Sequence, residues 1–178
     1  MGPRAARTLL TLGTLAFASI AAAAEMNAHL APLAPLLGKT WRGTVSPPGA
    51  EKPAVDVSRF ELALNGQAVR NRHSVDDGAY GGETFILWEE ARQSLVYYYF
   101  TTAGFYTTGT LRVEGDAILS HEIVKGATDG TSEVKATTRL LPDGRLLVKS
   151  RYLKNGQWQD GRETHYVEDP KAVVRFKE

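Results

Sequence analysis

His73 stands two positions after Asn71, and on an extended strand that spacing puts both side chains on one face. A histidine titrates close to neutral pH and a neighbouring amide can hold or polarise its partner. The pair could therefore act in acid/base chemistry, or serve as polar anchor points in a pocket. The run Leu95-Val96-Tyr97-Tyr98-Tyr99-Phe100-Thr101 adds phenols at alternate positions, and Tyr106 follows after Ala103-Gly104. Phenols give apolar walls carrying a few hydroxyls, which suits a ligand pocket as well as proton transfer. Glu83, Glu122 and Glu163 are the carboxylates that could stand beside a histidine. Of the four histidines, His29, His73, His121 and His165, none pairs with another at ligand spacing, so a structural zinc site has no support. His165 could ligate haem iron, but only if it points inward. Cysteine is absent, which removes thiol nucleophiles, thiolate metal sites and disulfides. There is no G-x-S-x-G, phosphate loop or H-E-x-x-H.

The elements that must position these groups read as β-structure. From Lys39 onward, short strand-like runs are broken by turn residues roughly every eight to twelve positions. Strands are expected over 40–46, 55–64, 67–75, 83–88, 95–102, 105–114, 117–124, 132–140, 145–153 and 157–167, with 173–176 as an edge strand. Asn65-Gly66, Gly115-Asp116, Pro142-Asp143-Gly144 and Asn155-Gly156 mark hairpins. The segments 47–53 and 76–82 read as loops. About ten strands joined by tight hairpins make an antiparallel up-and-down meander, and closure into a barrel removes its two edges. Before the first strand, Leu30, Leu33, Leu36 and Leu37 recur near helical spacing, with Pro32 and Pro35 keeping the segment short. Such a segment caps one end of the barrel.

Hairpin register separates inside from outside. A turn at Asn65-Gly66 sets Leu62 against Val69, Phe60 against Asn71 and Ser58 against His73, and Glu61 and Arg70 share the charged opposite face. The Pro-Asp-Gly hairpin sets Leu140 against Leu146, Thr138 against Val148, Ala136 against Ser150 and Val134 against Tyr152. This inward set is mixed, aliphatic, small and hydroxylated, and closer to a cavity wall than to a filled core. The candidate ligand-binding residues are therefore Asn71, His73, Tyr97, Tyr99, Tyr106, Ser150 and Tyr152. In the last strand, a bulge at Gly161 places Lys149 opposite Glu163, turns Thr164 and Tyr166 inward and sends His165 out.

The first 24 residues carry Arg4 and Arg7, then an uncharged stretch rich in Leu, Ala and Phe, then Ala22-Ala23-Ala24. That is the three-part pattern of a secretory signal, with cleavage expected before Glu25. Residues 25–178 then form one domain, periplasmic or secreted, with no lipid anchor. The chain has 21 basic and 20 acidic residues; removing Arg4 and Arg7 leaves 19 basic against 20 acidic. No strong field or basic cluster would steer nucleic acid.

Leu36-Leu37-Gly38, Trp41-Arg42-Gly43 and the meander with its mixed interior resemble the calycin superfamily, the lipocalins and more closely the nitrobindin-like barrels. The segment Gly81–Leu111 resembles uncharacterised secreted bacterial barrels of that kind. The resemblance implies a calycin-like barrel, and nitrobindin-like members imply haem held by a proximal histidine, for which His165 is the late candidate. The expected function is binding of a small, largely apolar or amphipathic ligand in the interior, without a required cofactor. The alternatives are a cofactor-free lyase or isomerase using Tyr and His, a haem-binding barrel, and an interaction module presenting outer aromatics such as Tyr98 or Phe100.

Overall fold

The computed structural model describes residues 25–45 and 51–177; the expected leader, the last residue of the expected strand 40–46 and residues 47–50 of the first loop lie outside them. Ala28–Leu36 forms a 3-10 helix. Its sequence has a period of three: Leu30, Leu33 and Leu36 recur with Pro32 and Pro35 between them. A 3-10 helix has three residues per turn, so the leucines fall on one side and the prolines on another. All three leucines are buried. The Asn27 side chain accepts the His29 N–H at 3.0 Å and caps the first turn.

Ten strands follow: β1 (Thr40–Thr44), β2 (Val55–Ala63), β3 (Ala68–Val75), β4 (Tyr80–Glu89), β5 (Ser94–Thr101), β6 (Tyr106–Glu114), β7 (Ala117–Lys125), β8 (Thr131–Leu140), β9 (Leu146–Lys154) and β10 (Gln157–Glu168). Each pairs antiparallel with the next. β1 also pairs with β10 through Trp41 opposite Glu168 and Gly43 opposite Tyr166, and the meander closes into a barrel. The expected fold class, an all-β meander closed on itself behind a short N-terminal helical segment, is the observed one.

The registers read from the hairpins hold residue by residue. Ser58 faces His73, Phe60 faces Asn71 and Leu62 faces Val69. Val134 faces Tyr152, Ala136 faces Ser150 and Thr138 faces Val148. The Asn65-Gly66 turn is longer than two residues, because Ala63 and Ala68 are the last pair. Two further residues preserve the facing, and Leu62 ends at the rim, 40% exposed. At Asn155-Gly156 both residues have positive φ, 51° and 78°, the conformation a two-residue hairpin turn needs. On the outer face, Arg72 does not repel Arg59 opposite it: Arg72 pairs with Glu83 of β4 at 3.0 Å and Arg59 with Glu61 at 3.8 Å.

Two expectations change. The segment 76–82 is not wholly loop, since β4 begins at Tyr80. Residues 173–176 form no edge strand. β1 and β10 already pair, so no edge is left for them. Instead the tail lies across the outside of β3: Arg175 donates its N–H to Ser74 Oγ at 3.0 Å, and the Arg72 guanidinium sits 5.4 Å from the Phe176 ring centre.

The apolar core gathers under the helix. Leu30, Leu33 and Leu36 pack there with Trp41, Val69, Ile86, Leu95 and Leu146. Toward the far end the inward positions turn polar and aromatic, and the site lies there.

Candidate functional site: a phenol, histidine and carboxylate network inside the barrel

Asp56 opens the network. It lies on β2 two residues before Ser58, so strand alternation turns it inward, where it is 3% exposed. One carboxylate oxygen stands 2.7 Å from His73 Nδ1, and the other accepts the Tyr166 hydroxyl at 3.0 Å. With Nδ1–H given to Asp56, His73 Nε2 is free to accept the Tyr99 hydroxyl, 2.7 Å away. Tyr99 in turn meets the Tyr80 hydroxyl at 2.8 Å. Five side chains from five strands thus form one connected chain: Tyr166, Asp56, His73, Tyr99 and Tyr80.

A second cluster lies beside it. Glu122 of β7 accepts a hydrogen bond from Thr107 of β6, and Tyr97 also bonds to it. Burial pushes the Glu122 carboxyl above the usual carboxylate range, and the Thr107 and Tyr97 hydrogen bonds only partly oppose this. Burial likewise raises the Tyr97, Tyr99 and Tyr166 phenols, and the nearby carboxylates push the same way. Tyr80 is raised by burial too, with the Tyr99 hydrogen bond and the Arg162 charge pulling it back. These phenols hold their protons. They act as hydrogen-bond donors and not as phenolate bases.

Glycines seat the rings. A Cβ on Gly82 would lie 2.5 Å from the Tyr99 ring, one on Gly109 2.6 Å from Tyr97, and one on Gly43 2.7 Å from Tyr166. Tyr152 covers Gly161 in the same way. Each ring lies flat over a neighbouring strand because that strand has no side chain there, an arrangement known to support sheets at glycine.

The interior is not filled. A chamber of about 690 Å³ lies at the far end, bordered by Tyr80, Tyr99, Thr107, Glu122, Tyr152 and Arg162, with Val75, Phe105, Val124 and Val134 as apolar wall. A second chamber, of about 1080 Å³ and open to the outside, lies nearer the helix: it touches Leu95, Leu111, Ser120, Ala136, Ser150 and Gly161 and also the outward-facing His121, Lys135 and Lys149. Arg162 and Asp160 border both.

Of the residues expected from sequence, His73 and Tyr99 enter the network and Tyr97 joins the Glu122 cluster. Tyr152 borders the far chamber and Ser150 the inner one. Ser150 Oγ accepts the Arg162 N–H at 2.9 Å, tying the bulge to β9. Asn71 points inward but is occupied, donating to Ser58 Oγ at 2.6 Å. Tyr106 is a correction. It pairs with Phe100 on the outward face, stacks on it at 6.2 Å and is 44% exposed, while Thr107 takes the inward position. The sequence reading turns Tyr166 inward without naming it as a site residue, and it does not single out Asp56, Tyr80 or Arg162. Strand alternation from Ser58 would have pointed to Asp56; Tyr80 was hidden in a segment read as loop.

The other histidines lie elsewhere. His121 pairs with Glu133 at 2.7 Å on the outside. His29 stacks on Trp88, ring centres 3.8 Å apart, and borders the inner chamber. The bulge expected at Gly161 is present. Glu163 faces Lys149, their charged groups 2.8 Å apart, and Thr164 and Tyr166 turn inward. His165 points out toward Glu163 at 3.5 Å, so a haem held by His165 from inside the barrel is incompatible with this register.

Among the described residues, no group of three or more His, Asp or Glu side chains could hold a metal ion, and no helix is long and apolar enough to cross a membrane. No protein-family model matches the chain, and no curated protein matches it in sequence. Solved structures do. The crystal structure of Rv2717c from M. tuberculosis superposes with a TM-score of 0.57, covering 83% of this chain and all of that one at 18% identity. At that identity the likeness is one of fold: this chain is a closed, ten-stranded antiparallel β-barrel of the same architecture as Rv2717c.

Proposed function

We propose that this chain is an exported barrel, periplasmic or secreted, that binds a small, largely apolar ligand in its interior. The observation that carries this reading is the unfilled interior. A core built for stability alone packs to near-crystalline density. Here flat-lying tyrosines leave a half-open chamber of about 690 Å³ at the far end, and the small residues Ala136, Ser150 and Gly161 border a second one that opens to the outside. Cavities that hold small molecules fall in the range of roughly 300–1,000 Å³, with apolar walls and a few placed polar groups. Native mass spectrometry of protein purified from its own host, followed by solvent extraction, tests the reading. The expected result is a co-purifying small molecule lost on extraction. An apo mass, together with no uptake of an environment-sensitive apolar dye, would overturn it.

A second reading, a cofactor-free lyase or isomerase, draws on the buried contact of His73 with Asp56 and Tyr99. Such a dyad can hold and release a proton beside a ligand. The geometry favours it less than binding, because both imidazole nitrogens and both Asp56 oxygens are already engaged. Deuterium incorporation from heavy water into a panel of small ketones would register proton transfer. Equal incorporation with the wild type and His73→Phe ends this reading.

A further inference from the structure

The charged groups around the far chamber do not balance. Asp129 is paired with Lys154 at 3.1 Å and accepts two hydrogen bonds from Thr131. Asp160 is paired with Arg151 at 3.0 Å. Glu122 is hydrogen-bonded to Thr107 and Tyr97 in a buried setting that favours its neutral form. That leaves Arg162, for whose guanidinium no carboxylate among the described residues lies within ion-pair distance. Its backbone is committed, with the N–H on Ser150 Oγ at 2.9 Å, but its side chain borders both chambers. Arg162 is exposed and stands where a half-open, partly apolar space begins, so an anion can reach it from solvent and gain charge-assisted hydrogen bonds there. Of the tyrosines bordering the chamber, Tyr80 gives its hydroxyl proton to Tyr99, while the Tyr152 hydroxyl accepts from Ser150 at 3.3 Å and keeps its own proton to donate; Val75, Phe105, Val124 and Val134 supply apolar wall beyond.

We propose that the ligand of this barrel is an anionic amphipath, its carboxylate- or sulfonate-like head group held by Arg162 with Tyr152 and its apolar body lying along the valine and phenylalanine wall. The proposal rests on the interior-binding reading above and adds the charge of the ligand and the residue that reads it. Arginine suits the task, since its planar fork offers paired donors to a two-oxygen head group.

The test uses two dyes on the mature chain: 1-anilinonaphthalene-8-sulfonate, which is anionic, and N-phenyl-1-naphthylamine, which has the same aromatic skeleton without the sulfonate. Fluorescence titrations compare wild type, Arg162→Gln and Arg162→Lys, with melting temperature as the check on folding. The expected result is tighter binding of the sulfonate by wild type, a loss of at least roughly tenfold for the sulfonate in Arg162→Gln, and a neutral-dye affinity unchanged within about twofold. Arg162→Lys should recover part of the loss. If Arg162→Gln leaves the sulfonate affinity unchanged, or lowers both dyes alike, the head-group site is not at Arg162. Binding of the neutral dye alone by wild type overturns the anionic assignment while sparing the interior-binding reading. Binding of neither dye overturns both. If Arg162→Gln does not fold, Arg162→Lys carries the comparison alone: it overturns the proposal if its sulfonate affinity falls no further than its neutral-dye affinity.

Discussion

Asp56 and Glu122 are two interior carboxylates with different roles. Asp56 accepts from Tyr166 and meets His73, so its two oxygens organise groups from three strands. Asp56→Asn keeps the shape but removes the charge and places an amide N–H₂ where an acceptor is needed. The expected cost is about 2–3 kcal/mol, since buried hydrogen bonds to charged groups are among the stronger ones. For a domain of this size that lowers the melting temperature by roughly 5–10 °C. A melting temperature unchanged by the substitution would mean that the network contributes nothing to stability. Glu122 is held differently, in a buried setting. Its folded pKa is raised by burial, so its stability contribution is fully present below the unfolded carboxyl pKa and is lost as pH rises through the folded value. Glu122→Gln removes that loss. The variant should melt above wild type at pH 8, with the advantage disappearing toward pH 4. Parallel melting-temperature curves across that range would show that Glu122 is not held neutral by its surroundings. At this scale the sequence was partly legible. It pointed to His73 and Tyr99 through strand alternation, but nothing local marks Asp56 as their partner across seventeen residues.

At the scale of elements, strand pairing decides which residue supports which ring. Gly82 on β4 and Tyr99 on β5 lie on adjacent strands, and the ring occupies the space a Cβ would fill. A Cβ on Gly82 would also collide with the Phe100 carbonyl oxygen, so Gly82→Ala should shift the β5 backbone and with it push Tyr99 away from His73, at about 1–3 kcal/mol of overpacking. Near-UV circular dichroism reads the tyrosine environment directly. A changed aromatic band with reduced stability is expected, and an unchanged band would show that the ring has room to spare. The bulge at Gly161 works in the same way on β10. It brings Lys149 opposite Glu163, turns Tyr166 to Asp56 and carries His165 outside. That bulge could be read in advance, because only one register pairs opposite charges and Gly marks the place. The inward set of β8 and β9 could be read too, since a tight hairpin fixes facing through period-two alternation. Tyr106 could not. It follows the irregular Ala103-Gly104-Phe105 connection, whose geometry sets the phase of β6, and local residues do not reveal that phase. On the outer face, Tyr98 and Phe100 are solvent-facing, as expected for one of the two aromatic sets on β5, and Tyr106 of β6 joins them against expectation.

For the whole molecule, closure does what disulfides cannot do in a chain without cysteine. β1 and β10 join segments more than a hundred residues apart, and the 3-10 helix brings a compact leucine cluster to one end. The proposal of export belongs to this scale as well. If residues 1–24 act as a signal, the intact mass of protein recovered from the periplasm or medium corresponds to a chain beginning at Glu25; recovery of a chain still carrying Met1 or Gly2 from the cytoplasm alone would overturn export. Composition and local pattern sufficed for the class of fold, the meander, the hairpin registers and the face of most strands, because tight turns and period-two alternation are short-range effects. The leucines spaced by three announced a capping helix, although the prolines tightened it to 3-10. The site depended on what distant strands bring together: Asp56 beside His73, Tyr166 beside Asp56, and Arg162 left facing open space with its possible counter-charges engaged elsewhere. Those contacts arise only when the sheet closes and opposite walls approach, and no local stretch of sequence carries the distance across a barrel.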